Sequence, residues 1–227
     1  ALVTPFNEDL SVDFDSLTRL VEYNIENGTN YLVILGTTAE AATLSAAEKQ
    51  EVIKHVIKIN NKRLPLVLGI GGNNTLEVKK QIEEADLTDF DAVLSVSPYY
   101  NKPNQEGLYQ HYKMLASTGK QIIIYNVPGR TGQNIEASTT LRLANEFPNL
   151  FMIKEAAPNI LQYFDILRKK PANFSLVSGD DEYTLPVTLA GGDGVISVIG
   201  QGYPKEFSTM VQLAFEGKVK EAYEIHN

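Results

Sequence analysis

The sequence has no cysteine and only three histidines, His55, His111 and His226. The first absence excludes a disulfide framework, thiolate metal sites and a cysteine nucleophile, and it is in keeping with a cytoplasmic location. The second leaves little from which to build a histidine-rich zinc site, so no metal is expected. Basic residues are outnumbered: 20 Lys and Arg against 28 Asp and Glu give a formal net charge of −8. A nucleic-acid partner needs a basic stripe, and none stands out. Small anionic substrates stay compatible with this balance, because one local Arg or Lys can override the global field. No apolar run approaches the roughly 18 residues that span a bilayer, so no membrane partner is expected.

What is present is a repeat. Short apolar runs rich in β-branched residues occupy Leu2–Thr4, Tyr31–Leu35, Leu66–Ile70, Ala92–Val96, Gln121–Tyr125, Phe151–Lys154, Phe174–Val177 and Val195–Val198, with helical patterns between them. Continuous apolar runs at this spacing predict strands buried on both faces, joined by crossover helices. Ser45 to Glu48 reads as a capping box, and Asp13 and Asn74 as further N-caps. Gly28, Gly119 and Gly217 suit helix stops. Eight strands and eight helices predict an α/β fold, a (β/α)8 TIM barrel, with a flavodoxin-like doubly wound sheet as the other option. Residues 1–203 form the expected barrel core. Residues 204–227 form the last barrel helix and the start of a further helical region. The chain begins inside a strand pattern and stops inside a helical one, which reads as part of a longer protein.

A barrel places its chemistry on the loops that follow the strands. Those segments contain Gly36-Thr37-Thr38-Ala39-Glu40, Ser97 through Pro103, Tyr125 through Gly132, Lys154-Glu155-Ala156 and Ser178 through Asp181. They hold no His and no Cys. They do hold one ammonium, Lys154, at the end of the apolar run Phe151-Met152-Ile153. Such a lysine attacks a carbonyl once its pKa falls. Lowering it from ~10.4 to ~7.5 costs roughly 4 kcal/mol, which burial and a neighbouring cation such as Arg130 can supply. Each residue also has a plainer reading. Lysines at strand ends commonly snorkel to solvent, and paired threonines commonly cap helices. Tyr99 and Tyr100 suit a core or a subunit contact. Asp180-Asp181 suits an N-cap better than a metal site. Gly191 through Gly194 and Gly200 through Gly202 match no phosphate-binding fingerprint and read as turns.

Taken together, these motifs in this order resemble dihydrodipicolinate synthase, within the N-acetylneuraminate lyase superfamily, from Ala1 to about Tyr203. The resemblance implies condensation of pyruvate with aspartate-4-semialdehyde, without a cofactor, in a homotetramer that is a dimer of dimers. It implies Lys154 as the Schiff-base residue and Tyr125, Thr37 and Tyr100 as a proton relay, with Tyr100 coming from the neighbouring subunit. Thr38 would hold the pyruvate carboxylate, with a helix N-terminus behind it. Arg130 would hold the semialdehyde carboxylate. Gly179 and Ile196 would line the pocket through their backbone. Asn73, Glu77 and Tyr99 match the allosteric pocket of regulated members, although Ala46 and Lys49 stand where some of those have histidines. Ala39 replaces a family glycine, at roughly 1 kcal/mol if the position needs positive φ. The family's C-terminal helical domain is largely missing from this chain. Other superfamily lyases, acting on sialic acid or 2-keto-3-deoxy sugar acids, share Lys154 and Tyr125 but need polyol-binding groups. A catalytically silent binding barrel and an inactive fragment are the remaining alternatives.

Overall fold

Six of the eight apolar runs form strands in the computed structural model, which describes residues 1–227. They are β1 (Leu32–Ile34), β2 (Leu66–Gly69), β3 (Ala92–Val96), β4 (Ile122–Asn126), β5 (Leu150–Glu155) and β6 (Ser175–Ser178). All pair in parallel and in chain order, as βα repeats require.

The first and eighth runs differ from expectation. Neither forms a regular strand, yet each holds its place in the ring. Leu2 N donates to Val33 O at 3.0 Å, Ile196 N to Ser178 O at 2.8 Å, and Ala1 N to Ser197 O at 2.9 Å. Ser178 and Val195 also form an isolated parallel bridge. The eighth run is cut short because Gly194 turns the chain at φ +125° and Val198 already leaves extended geometry.

Helices α1 (Phe14–Glu26), α2 (Ala46–Asn60), α3 (Thr75–Glu84) and α4 (Gln105–Ala116) lie between the early strands. After them come α5 (Pro128–Thr131), α6 (Ala137–Glu146), α7 (Ile160–Lys169), α8 (Thr184–Leu189), α9 (Pro204–Phe215) and α10 (Val219–His226). Two segments lie outside the eight barrel helices. Helix α5 is a single turn inside the loop after β4, and α10 follows the last barrel helix. The expected caps form: Asp13 accepts from Ser16 N, Asn74 from Glu77 N, and Ser45 and Glu48 close a reciprocal box. Gly28, Gly119 and Gly217 all take positive φ just past helix ends.

Side-chain alternation divides the core. Val33, Val67, Leu94, Ile123, Tyr125, Val177 and Ile196 pack inside the ring. Ile122, Ile124, Leu150 and Ile153 point outward and pack with Tyr112 of α4, Leu143 of α6 and Tyr163 of α7. One irregularity matters for the site. Ile122 pairs with Leu150 but Ile123 pairs with Met152, so Phe151 is an extra residue on β5. Beyond this bulge Tyr125 pairs with Lys154, and Asn126 with Glu155.

Candidate active site

Lys154 is among the largest fully buried side chains of the protein. Its ammonium lies 4.4 Å from the centre of the Tyr125 ring. Burial lowers its pKa to about 8, the Asp181 carboxylate opposes that shift, and the Arg130 guanidinium adds to it. At pH 7 roughly a tenth of such an amine is neutral, against less than a thousandth of an ordinary lysine. Tyr125 is buried as well. Burial pushes its hydroxyl upward, while the Thr37 hydrogen bond and the Arg130 charge pull it down. Thr37 Oγ1 sits 3.3 Å from the Tyr125 hydroxyl. A buried amine of lowered pKa, a phenol and a second hydroxyl therefore meet at the tops of β5, β4 and β1.

Gly179 is glycine for a steric reason. A Cβ there would lie 2.8 Å from Lys154 Cε and 2.8 Å from Ala156 Cβ. Its amide donates to Glu155 O at 2.7 Å, which holds this loop against β5. Ile196 is buried in the inner cluster beside Tyr125. Arg130 stands in α5 and, with Thr37, Tyr125 and Tyr99, lines a cavity of about 720 Å³.

The other expected residues are placed less simply. Thr38 lies within a single 3-10 turn, Thr37–Ala39, while α2 begins only at Ala46. The N-terminus behind Thr38 is thus that one turn rather than a long helix. Tyr100 is 86% exposed at φ +73° and makes no side-chain hydrogen bond to the other site residues of its own chain. Ala46 and Lys49 share the cavity wall with Tyr99, whereas Asn73 and Glu77 lie outside that wall. Asn73 is tied to the Tyr99 loop by Asn101 Nδ2, which donates to its carbonyl at 3.0 Å. Ala39 carries no positive φ; Glu40, the next residue, takes that conformation at φ 53°. The Ala39 methyl is therefore free of left-handed strain.

Two groups gave no functional signal in the sequence. Of the Asp180-Asp181 pair, only Asp180 caps a helix. Asp181 Oδ2 accepts from Val198 N and Ile199 N, and its other oxygen is buried without a partner. It joins the seventh and eighth loops and opposes the positive field at Lys154. Glu155 is wholly buried behind the lysine. Neither a cap-like aspartate nor a glutamate after a lysine announces such a role. No group of His, Cys, Asp and Glu is arranged to hold a metal ion, and no helix is long and apolar enough to cross a membrane.

The sequence model of the dihydrodipicolinate synthetase family matches residues 1–227. The chain belongs to this family. Among dihydrodipicolinate synthetase relatives, the 4-hydroxy-tetrahydrodipicolinate synthase of Flavobacterium psychrophilum is 59% identical over 227 residues, which is 100% of this chain and 78% of that protein. The dihydrodipicolinate synthase of Acinetobacter baumannii, solved with pyruvate, superposes with a TM-score of 0.95 at 43% identity, over 100% of this chain and 78% of that one. That of Thermotoga maritima gives 0.95 at 40% identity, over 100% and 78%. These likenesses make the ring of six strands and two shortened runs the (β/α)8 barrel of the family.

Proposed function

We propose that the protein condenses pyruvate with L-aspartate-4-semialdehyde through a Schiff base on Lys154, giving 4-hydroxy-tetrahydrodipicolinate for the synthesis of diaminopimelate and lysine. The observation that carries this reading is a buried lysine of lowered pKa beside the hydroxyl pair of Tyr125 and Thr37. The neutral Lys154 amine attacks the pyruvate ketone, and water leaves as the imine forms. The protonated imine nitrogen then draws electrons from the adjacent methyl group. Loss of a methyl proton gives an enamine, whose carbon attacks the aldehyde, and the amine of the semialdehyde then displaces the Lys154 amine from the imine carbon as the ring closes. No resident cofactor or metal is needed, because the iminium itself is the electron sink.

Tyr125 carries protons to and from the reacting atoms, with Thr37 as the next hydroxyl. Tyr100 of the partner subunit completes the relay in a homotetramer. Its exposure and its strained φ support that role, since a ring held outward needs a neighbour to hold it. Thr38 and the Thr37 and Thr38 amides hold the pyruvate carboxylate, and Arg130 holds that of the semialdehyde. The Gly179 and Ile196 amides are already spent on Glu155 O and Ser178 O, so their carbonyls are the groups left to contact substrate. Asn73, Glu77 and Tyr99 are the candidates for an effector site. Residues 1–203 act as the catalytic barrel, residues 204–227 lead into a further helical region, and the location is cytoplasmic.

The test is to incubate the protein with pyruvate, reduce with borohydride and locate the modified peptide by mass spectrometry. A pyruvate-derived adduct on Lys154, followed by turnover with aspartate semialdehyde and none with sugar aldehydes, is the expected result. A cooperatively folded sample without the adduct overturns the reading.

A further inference from the structure

Glu155 has no part in the chemistry above, yet it is a fully buried carboxylate directly after the Schiff-base residue. Lys154 points into the ring, so Glu155 points outward, into the layer between β5 and α7. No cation pairs with it there. Its partners are neutral amides. Asn126 Nδ2 and Ala157 N each donate to Oε1 at 2.8 Å, and Gln162 Nε2 donates to Oε2 at 2.9 Å. A buried carboxylate held only by neutral donors is costly to keep ionised, and burial raises its pKa to about 7.

Two of these donors, Asn126 at the end of β4 and Gln162 on α7, also hold the base of the loop after β4. Asn126 Nδ2 also donates to Asn134 Oδ1 at 2.8 Å, and Ile135 N donates to Asn126 Oδ1 at 3.0 Å. Asn134 Nδ2 donates to Gln162 Oε1 at 2.8 Å, and Gln162 Nε2 reaches Ile135 O at 3.1 Å. The segment from Val127 to Gln133, which carries Arg130, is thus closed at its base by a small amide network. Three donors face its two oxygens, an arrangement that suits the ionised form, which only accepts hydrogen bonds. Glu155 therefore fixes which way the Asn126 and Gln162 amides face. A glutamine in its place sets one amide hydrogen pair against another, and turning Gln162 over breaks its bonds to Asn134 and Ile135.

We infer that Glu155 is a positioning residue that locks the Arg130 loop to the Lys154 strand and so sets the binding of the second, carboxylate-bearing substrate. This inference rests on the assignment of Arg130 to the semialdehyde carboxylate. Lys154 itself is held by the barrel interior and burial is the main cause of its lowered pKa, with Arg130 a smaller one, so the first half-reaction depends little on the amide network.

The experiment compares steady-state kinetics for both substrates, with borohydride trapping of the pyruvate adduct, in wild type, Glu155→Gln, Asn134→Ala and Arg130→Ala. Glu155→Gln raises the KM for the semialdehyde roughly tenfold, the effect of one compromised buried hydrogen bond. The KM for pyruvate and the yield of Lys154 adduct stay at wild-type values. Asn134→Ala opens the same loop base from its half-buried end, and it carries the test if Glu155→Gln does not fold. An unchanged semialdehyde KM overturns the inference, as does a loss of adduct in step with that KM. If Arg130→Ala leaves the semialdehyde KM unchanged, the Arg130 assignment itself fails, and the inference with it.

Discussion

Tyr125 and Lys154 are in-register neighbours on β4 and β5 because Phe151 is bulged out of the pairing that starts at Ile122 and Leu150. Side chains alternate faces along a strand, so a slip of one residue turns each of them over. Without the bulge Ile153 pairs with Tyr125, and Lys154 faces the outer helices. With it, the amine and the phenol share the ring interior at 4.4 Å. One extra residue on one strand thus decides whether the site exists.

The buried ammonium carries a stability cost that a neutral residue removes. The folded pKa of Lys154, about 8, lies below the ordinary 10.5. Between those values the unfolded chain binds more protons, so the lysine's contribution to stability rises with pH across that window. Below about pH 8 the full cost, on the order of 3 kcal/mol, is present. Lys154→Met is therefore expected to raise the Tm by several degrees at pH 7, with the gain shrinking towards pH 10. Thermal unfolding at the two pH values measures it. A lowered Tm at pH 7 contradicts the account.

Removing either relay hydroxyl is expected to slow turnover while leaving the fold intact. Tyr125→Phe should lower kcat by about 10²- to 10⁴-fold, the usual range for lost general acid–base catalysis. Thr37→Val, which breaks the 3.3 Å contact, should act in the same direction but less strongly. Stopped-flow assays with far-UV circular dichroism separate a chemical effect from misfolding. A kcat within twofold of wild type in Tyr125→Phe rules out the proton-carrier role.

Gly179→Ala places a methyl against Lys154 Cε, Lys154 Cγ and Ala156 Cβ, all under 3.0 Å from the new atom. Overpacking of this kind costs about 1–3 kcal/mol. The lysine has to move, so borohydride trapping with pyruvate should slow at least as much as thermal stability falls. Normal trapping in this variant shows that the approach of Gly179 to Lys154 is not needed for imine formation.

Tyr100 provides the test of assembly. Tyr100→Phe and Lys154→Ala should each be inactive or nearly so alone. Mixed after subunit exchange, they should recover part of the activity, because some sites then combine an intact lysine with an intact tyrosine from another copy. Absence of recovery in a verified hybrid shows that Tyr100 does not act across subunits.

Much of this was legible in the sequence because it rests on local pattern. The capping box at Ser45 and Glu48 needs only adjacent residues, and the six central strands need only continuous apolar runs. The first and eighth strands were legible only in part, since ring closure leaves each too few consecutive ladder bonds to count as a strand. Lys154, Tyr125 and Thr37 stood out by chemical type at run ends, although 29 residues separate the first two and 88 the last two. In the sequence Asp181 reads as a cap, because the amides that donate to it, Val198 N and Ile199 N, lie 17 and 18 residues further along.

By itself the sequence determined the repeat, the chemical inventory of the loops and the family. Each of these is written in residue type and spacing along the chain. Only the tertiary structure decided that the β5 bulge turns Lys154 inward, that Gly179 must lack a side chain, and that Glu155 gathers the amides beneath Arg130. Those facts depend on which distant segments meet, and at what register, and packing fixes both across contacts that no local pattern records.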